Sequence, residues 1–304
     1  MTRANWRRFC DLTVCVLAAT AMLVIPLHAQ EKIQIVASFS ILGDFARSVG
    51  GDRVNVTTLV GANSDAHVFT PAPADAKKIA DAKLVIINGL GLEGWLPRLV
   101  QSSGSKATIV TATTNITPRM LGSHADPHAW QNLANAKTYV ANISKALGDA
   151  VPADAEFFQS NAEAYRAKLD ALDDEIRSWI ASIPSERRKV ISTHDAFGYF
   201  ASAYGLVFLA PLGVSTESEP SARDIASIIT QIKTQKIPAV FLENISDPRL
   251  MGRIAAETGA NIGGTLYSDS LTDEKGDAPT YIDMVRHNIR AMRSALAGVT
   301  PRSR

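Results

Sequence analysis

The chain has 304 residues, 46% of them hydrophobic, with 31 Lys and Arg against 30 Asp and Glu and only two cysteines. That near balance leaves no basic field for nucleic acid or anionic lipid. The length bounds one large domain or two of medium size.

Residues 1–29 read as a secretory signal peptide. Arg3, Arg7 and Arg8 form a basic start, an apolar run follows over 12–27, and Ala29 closes a small-residue stretch. The run is too short for a membrane span. The Arg7-Arg8 pair has the look of a twin-arginine signal, but its flanks fit poorly, so the general secretory route is expected. Cys10 and Cys15 both lie in this segment, so the chain from residue 30 onward has no cysteine. It can form no disulfide, and any metal site in it must use nitrogen and oxygen. Leu12-Thr13-Val14 before Cys15 is a poor lipobox, which predicts a free periplasmic protein rather than a lipid-anchored one. Three basic residues and one acidic residue leave with the signal, so the mature net charge is −1.

From there, short β-branched runs alternate with amphipathic stretches. Strands are expected over 33–38, 54–60, 84–88 and 108–111, then over 189–193, 206–210, 239–243 and 262–267. Helical patterns fall between them, as at 221–235 and 248–258. Such alternation predicts an α/β fold with parallel sheets flanked by helices. The two strand sets predict two lobes of about four strands each, an N-terminal lobe over 30–150 and a C-terminal lobe over 185–304.

Residues 151–184 join them. No Gly or Pro occurs over 154–183, and Phe158, Ala162, Tyr165, Leu169, Leu172, Ile176, Trp179 and Ile183 recur in steps of four and three. That is one face of one helix, bounded by Pro152 and Pro184. It predicts a rigid strut that limits hinge closure.

Five histidines remain after export: His67, His124, His128, His194 and His287. Three of them follow predicted strands. His67 lies past the strand ending at 60, His128 follows the strand at 108–111 and its loop, and His194 directly follows the strand at 189–193. Ligands of open α/β sheets bind outside the carboxyl ends of strands. His67 and His128 belong to one lobe and His194 to the other, so a cleft between lobes brings them together. Asp269, just past the last strand, supplies a fourth candidate. Three imidazoles and a carboxylate suit zinc and admit manganese. In "ADPHAWQN", Asp126 reads as an N-cap and Pro127 as the first helical residue, with His128 in the first turn. His194 likewise reads as opening a helix. The positive helix end then predicts neutral imidazoles. His124 reads as solvated loop and His287 as a surface residue.

The segments "DAHVFTPAPAD", "NGLGLEGWL", "DPHAWQN", "STHDAFGYF", "STESEPSARDIASII" and "LYSDSL" occur in order along nearly the whole mature chain. Together they resemble the metal-binding solute-binding proteins of ABC importers, the cluster A-I zinc and manganese receptors. The resemblance implies two lobes, one connecting helix, and one ion between the lobes held by His67, His128, His194 and Asp269. It also implies delivery to a membrane permease. Many zinc receptors carry a long His- and Asp-rich loop before the second ligand, whereas this chain has only 117–127 with His124. Many manganese receptors place Glu where this chain has His194. Zinc is expected, with manganese the alternative.

Other signals carry less. Gly89, Gly91 and Gly94 spell a formal G-x-G-x-x-G, but no acid follows about 20 residues on, as a dinucleotide site needs. Glu243 ends a strand and is a candidate to orient a ligand imidazole. Asp126 and Asp195 are read as caps, and Phe197, Tyr199 and Phe200 as core; Glu217 and Glu219 carry no assigned role. The predicted function is a non-enzymatic periplasmic receptor, a monomer that passes a divalent metal to an importer and receives it directly or from a metallochaperone. The alternative is a secreted zinc hydrolase with an open coordination position, for which there is no H-E-x-x-H and no evident base. The Gly-, Pro- and charge-rich stretch after Asp269 predicts a loop that swings to free the ion.

Overall fold

In the chain order of the computed structural model, which describes residues 31–296, the first elements are β1 (Ile33–Phe39), α1 (Ser40–Gly50), β2 (Val54–Val60), α2 (Pro73–Ala80), β3 (Leu84–Ile87), α3 (Leu96–Ser103) and β4 (Thr108–Thr111). A small hairpin, β5 (Met120–Leu121) and β6 (His124–Ala125), leads to α4 (Leu133–Ala150) and the long α5 (Ala155–Ala181). Then come β7 (Lys189–Ile191), α6 (Gly198–Tyr204), β8 (Val207–Leu209), α7 (Ala222–Gln235), β9 (Ala239–Glu243), α8 (Pro248–Thr258), β10 (Asn261–Leu266) and α9 (Tyr281–Leu296). The signal peptide, Arg3, Arg7, Arg8, Cys10 and Cys15 lie outside the described residues.

Two four-stranded sheets result, in the orders β2-β1-β3-β4 and β10-β9-β7-β8, and every pair within them is parallel. Parallel strands need crossovers that place helices on both faces, which is why these strands read as nearly continuous apolar runs. The first sheet buries Ile35, Ala37 and Phe39 toward one core and Val36 and Val85 toward another. The second buries Phe241 and Leu266 on one side and Ile191 and Val240 on the other. In each order the chain reverses direction of growth once, between β1 and β3 and between β7 and β9. Those reversals are where loops diverge and leave a crevice.

Local chemistry sets several boundaries. Ser221 and Asp224 form a reciprocal capping box at the start of α7. Asp247 caps α8, Pro248 takes its first position, and Gly259 ends it with φ 76°. The predicted helix at 154–183 is realised as the 27 residues of α5, roughly 40 Å at 1.5 Å per residue. It stops short of Pro184, where the Ser182 hydroxyl donates to the Trp179 carbonyl at 2.6 Å.

α5 is more than a strut. Its stripe of Phe158, Ala162, Tyr165, Leu169, Leu172, Ile176 and Trp179 is buried in one apolar cluster that also contains Phe45 of α1, Ile143 of α4, Phe241 of β9 and Met284 of α9. The two lobes therefore share a core along this helix. α9 is anchored across it as well. Asp44 of α1 accepts the Tyr281 backbone N–H at 3.0 Å, and the Tyr281 hydroxyl donates to the Trp130 carbonyl at 2.5 Å.

Candidate metal centre

All four candidate residues arrive on loops at the carboxyl ends of strands. His67 follows β2, His128 follows the β5–β6 hairpin, His194 comes three residues after β7, and Asp269 three residues after β10. The structure brings one ligand atom from each within 4.8 Å of the others. His128 Nε2 lies 3.3 Å from both His67 Nε2 and His194 Nε2. Asp269 Oδ2 lies 3.2 Å from His67 Nε2 and 3.2 Å from His194 Nε2, and its Oδ1 lies 3.6 Å from His128 Nε2. A tetrahedral ion with bonds of 2.0–2.2 Å needs ligand atoms about 3.3–3.6 Å apart. The donor set has that spacing.

Burial is severe. His128, His194 and Asp269 are fully buried, and His67 is 8% exposed. Neither carboxylate oxygen of Asp269 receives a hydrogen bond among the described residues. A buried carboxylate without donors is costly unless a cation meets it.

The imidazoles are oriented from behind. Asp126 Oδ1 lies 2.8 Å from His128 Nδ1 and also accepts the His128 backbone N–H at 3.0 Å. Glu243 Oε2 lies 2.5 Å from His194 Nδ1, while its Oε1 accepts the backbone N–H of Thr193 and of His194. A carboxylate on Nδ1 keeps the proton there and leaves Nε2 bare, so the Nε2 lone pairs converge on the centre. Glu243 thus has the orienting role expected of it. Asp126 does not have the capping role expected of it: it is His128's orienting carboxylate.

The helix-start reading of "ADPHAWQN" also fails. Residues Ala129–Gln131 form a single 3-10 turn, and α4 begins only at Leu133, capped by Asn132. The Asp126 carboxylate is engaged by the His128 ring and by Arg119, whose Nη1 lies 2.7 Å from Oδ2, so it is not free to cap. His194 likewise precedes α6 by four residues. Neither imidazole meets a helix dipole, and carboxylates decide their protonation instead. Burial works against imidazolium at His194, but Glu243 and Asp269 outweigh it and hold the pKa well above the ordinary value. At His128 burial is likewise outweighed by Asp269 and Asp126. Burial would raise the Asp269 carboxyl, yet His194 and His128 hold it well below the carboxylate range. The metal-free cluster therefore keeps protons that an arriving cation displaces.

The backbone that carries Asp269 is held by the other lobe. The Ser268 carbonyl accepts from Trp130 Nε1 at 2.9 Å and Gln131 Nε2 at 2.7 Å. The Leu271 N–H donates to Ser40 Oγ at 2.9 Å. Residues Ser268, Asp269, Ser270 and Leu271 are at most 1% exposed. The Gly- and charge-rich stretch begins only beyond them, so a swing of that stretch alone leaves Asp269 in place. Composition suggested mobility, but these buried hydrogen bonds override it.

The other signals resolve in physical terms. In the Gly89–Gly94 turn, the Glu93 carboxylate accepts the N–H groups of Asn88 at 2.6 Å and Gly89 at 3.1 Å, and the Ser38 hydroxyl at 2.6 Å. The amides a phosphate would need are already occupied. Asn88 then donates to the Pro127 carbonyl at 2.9 Å, and Trp95 Nε1 to the Ala66 carbonyl at 3.0 Å. This turn therefore braces the backbone beside both His128 and His67, a role sequence reasoning missed. Tyr199 is buried as expected, but its hydroxyl also donates to the Asp126 carbonyl at 3.0 Å and accepts the Arg119 N–H at 2.8 Å. Phe197 stacks on Phe208 in the core. Asp195 caps nothing: α6 starts after Phe197, and Asp195 Oδ2 lies 3.8 Å from Arg119 Nη1. Glu217, Glu219 and His124 are exposed. His287 is half-buried rather than superficial, packed on Tyr267 and 3.1 Å from the Thr265 carbonyl.

Known proteins share this architecture. A family described as zinc-uptake complex component A, periplasmic, matches residues 35–295. The manganese-binding lipoprotein MntA of Halalkalibacterium halodurans is 34% identical over 268 residues, 88% of this chain and 89% of that protein. The iron-binding protein YfeA of Yersinia pestis is 35% identical over 270 residues, 87% of this chain and 86% of its own. The periplasmic zinc-binding protein TroA of Treponema pallidum superposes with a TM-score of 0.84 at 30% identity, covering 87% of this chain and 99% of that one. The chain accordingly belongs to the zinc-uptake component A family, the cluster A-I metal-binding receptors of ABC importers.

Proposed function

We propose that His67, His128, His194 and Asp269 coordinate the metal cargo, and that zinc is bound more tightly than manganese. The observation that carries this reading is the buried, donor-free Asp269 carboxylate facing three Nε2 atoms at 3.2–3.6 Å. Three nitrogens and one carboxylate favour zinc over manganese in the usual order of divalent affinities. The relatives named above are described with manganese, iron and zinc, so the preference rests on the donor set rather than on kinship.

The same carboxylate argues against hydrolysis. Catalytic zinc keeps a position open for water, and here a fourth protein ligand stands in that position. We assign residues 30–150 and 185–304 to the two lobes and 151–184 to the link. The protein works outside the cytoplasmic membrane after cleavage near residue 29, as a monomer that hands its ion to the permease, with any metallochaperone acting upstream.

The test is a competition titration. Residues 30–304, stripped of metal, are titrated with zinc and manganese against a chromophoric chelator. Tighter zinc binding with one ion per chain is expected, and stronger manganese binding overturns the preference. His194→Ala should lower zinc affinity at least 100-fold, by analogy with the losses that follow damage to groups behind metal ligands, while His124→Ala leaves it unchanged. Equal losses in the two variants would sink the ligand assignment.

A further inference from the structure

His67 differs from the other two histidines in how it is held. His128 and His194 each have a fully buried or nearly buried carboxylate against Nδ1, supplied by their own lobe. Among the described residues no group hydrogen-bonds to His67 Nδ1, and this ring is the most exposed of the three. What places it is its backbone. The His67 N–H donates to Asp65 Oδ1 at 2.8 Å. The other oxygen of that carboxylate, Oδ2, accepts the Thr216 hydroxyl at 2.6 Å. Thr216 lies in the loop between β8 and α7, in the lobe that carries His194 and Glu243. One carboxylate thus spans the cleft, with one oxygen on a ligand's backbone and the other on the opposite lobe.

The neighbouring residues extend the seam. The Asn63 N–H donates to the Leu271 carbonyl at 2.9 Å, and the Ser64 N–H to Ser270 Oγ at 3.3 Å. Asn244 Nδ2 donates to Asn63 Oδ1 at 3.1 Å. Asn63 and Ser64 are exposed and Asp65 is half-buried, whereas the bonds behind His128 and His194 are buried. Exposed polar bonds contribute little each and open most readily. The cleft is therefore fastened most weakly along the segment that carries His67.

We propose that the Thr216–Asp65 contact is a latch that couples closure of the lobes to the seating of His67, making His67 the ligand that arrives last and leaves first. Thr216 and Asp65 are positioning residues, and the inference rests on the coordination reading above. When Thr216 lets go, Asp65 and His67 are free to move together, and the ion is left on His128, His194 and Asp269 with one side open. Such a latch governs how fast metal leaves more than how fast it arrives, because the open form already meets incoming ions.

Zinc dissociation from residues 30–304 is followed by stopped flow into excess chromophoric chelator. Thr216→Val should speed release about tenfold, the scale of one partly exposed hydrogen bond to a charged group. Thr216→Ser should restore the native rate, and Asp65→Ala should exceed Thr216→Val because it also frees the His67 backbone. Association rates and the melting temperature of the metal-free protein should stay at native values. A native release rate in Thr216→Val, or equal changes in association and dissociation, overturns the latch while leaving the coordination reading intact. Failure of the native chain to bind zinc overturns both.

Discussion

At the scale of single residues, the site is built from carboxylates used in three different ways. Asp269 faces the ion, Asp126 and Glu243 stand behind imidazoles, and Glu93 closes the Gly89–Gly94 turn. The last of these carries a cost. Burial pushes the Glu93 carboxyl above its ordinary value of 4.5, and the hydrogen bonds from Ser38, Asn88 and Gly89 offset this only in part. A raised folded-state pKa means the folded protein binds that proton more tightly than the unfolded chain. The contribution to stability is then fully present below the ordinary value and is lost as pH rises through the folded one. In urea unfolding of the metal-free protein, Glu93→Gln should make stability fall less between acid and neutral pH than it does in the parent. An unchanged slope would show that Glu93 ionises freely. The Asp126 carboxyl is shifted the opposite way, held low against its burial by His128 and Arg119, so only the difference between variant and parent isolates Glu93.

At the scale of elements, α5 shows how a periodic pattern becomes an architectural part. Its apolar residues were legible because steps of three and four admit one interpretation, a single buried face. What they pack against was not legible. The face meets α1 and α4 of one lobe and α6 and α9 of the other, so the helix transmits rigidity by sharing a core. Leu169 and Leu172 are completely buried in that core. Leu169→Ala should lower unfolding stability by about 2–5 kcal/mol, the range for deleting a buried leucine side chain. Chemical denaturation that remains a single transition, with both lobes lost together, is the expected form of that loss; two separated transitions would mean that the lobes fold independently of α5.

At the scale of the whole molecule, the ion is bound by both lobes at once and should act as a fastener between them. Ligand that binds only the folded state stabilises it by about 4 kcal/mol at a thousandfold excess over its dissociation constant. Zinc should raise the melting temperature of the native chain, and a chelator should reverse the gain. A melting temperature indifferent to zinc would mean that metal does not bridge the lobes. Motion for release must also be shared. Asp269 is tied to Trp130, Gln131 and Ser40 of the other lobe, so freeing it requires breaking buried bonds, while the His67 segment is fastened by exposed ones.

The sequence alone determined the α/β class, the two strand sets, the long helix and the identity of the four site residues. Each of these is written in short-range periodicity or in position relative to a strand end, and parallel topology then directs every strand's carboxyl end to the same crevice. Tertiary structure alone decided what surrounds them. Asp126 and His194 read as helix-start residues because Asp-Pro and strand-to-helix junctions have strong local preferences. Their actual partners, His128 Nδ1 and Glu243, compete successfully because a buried imidazole facing a carboxylate is worth more than a cap. The segment around Asp269 read as mobile for a similar reason: composition reports what a stretch does in water, whereas Trp130, Gln131 and Ser40 reach it only after folding. Residues more than a hundred positions apart supply those contacts, and no local pattern encodes them.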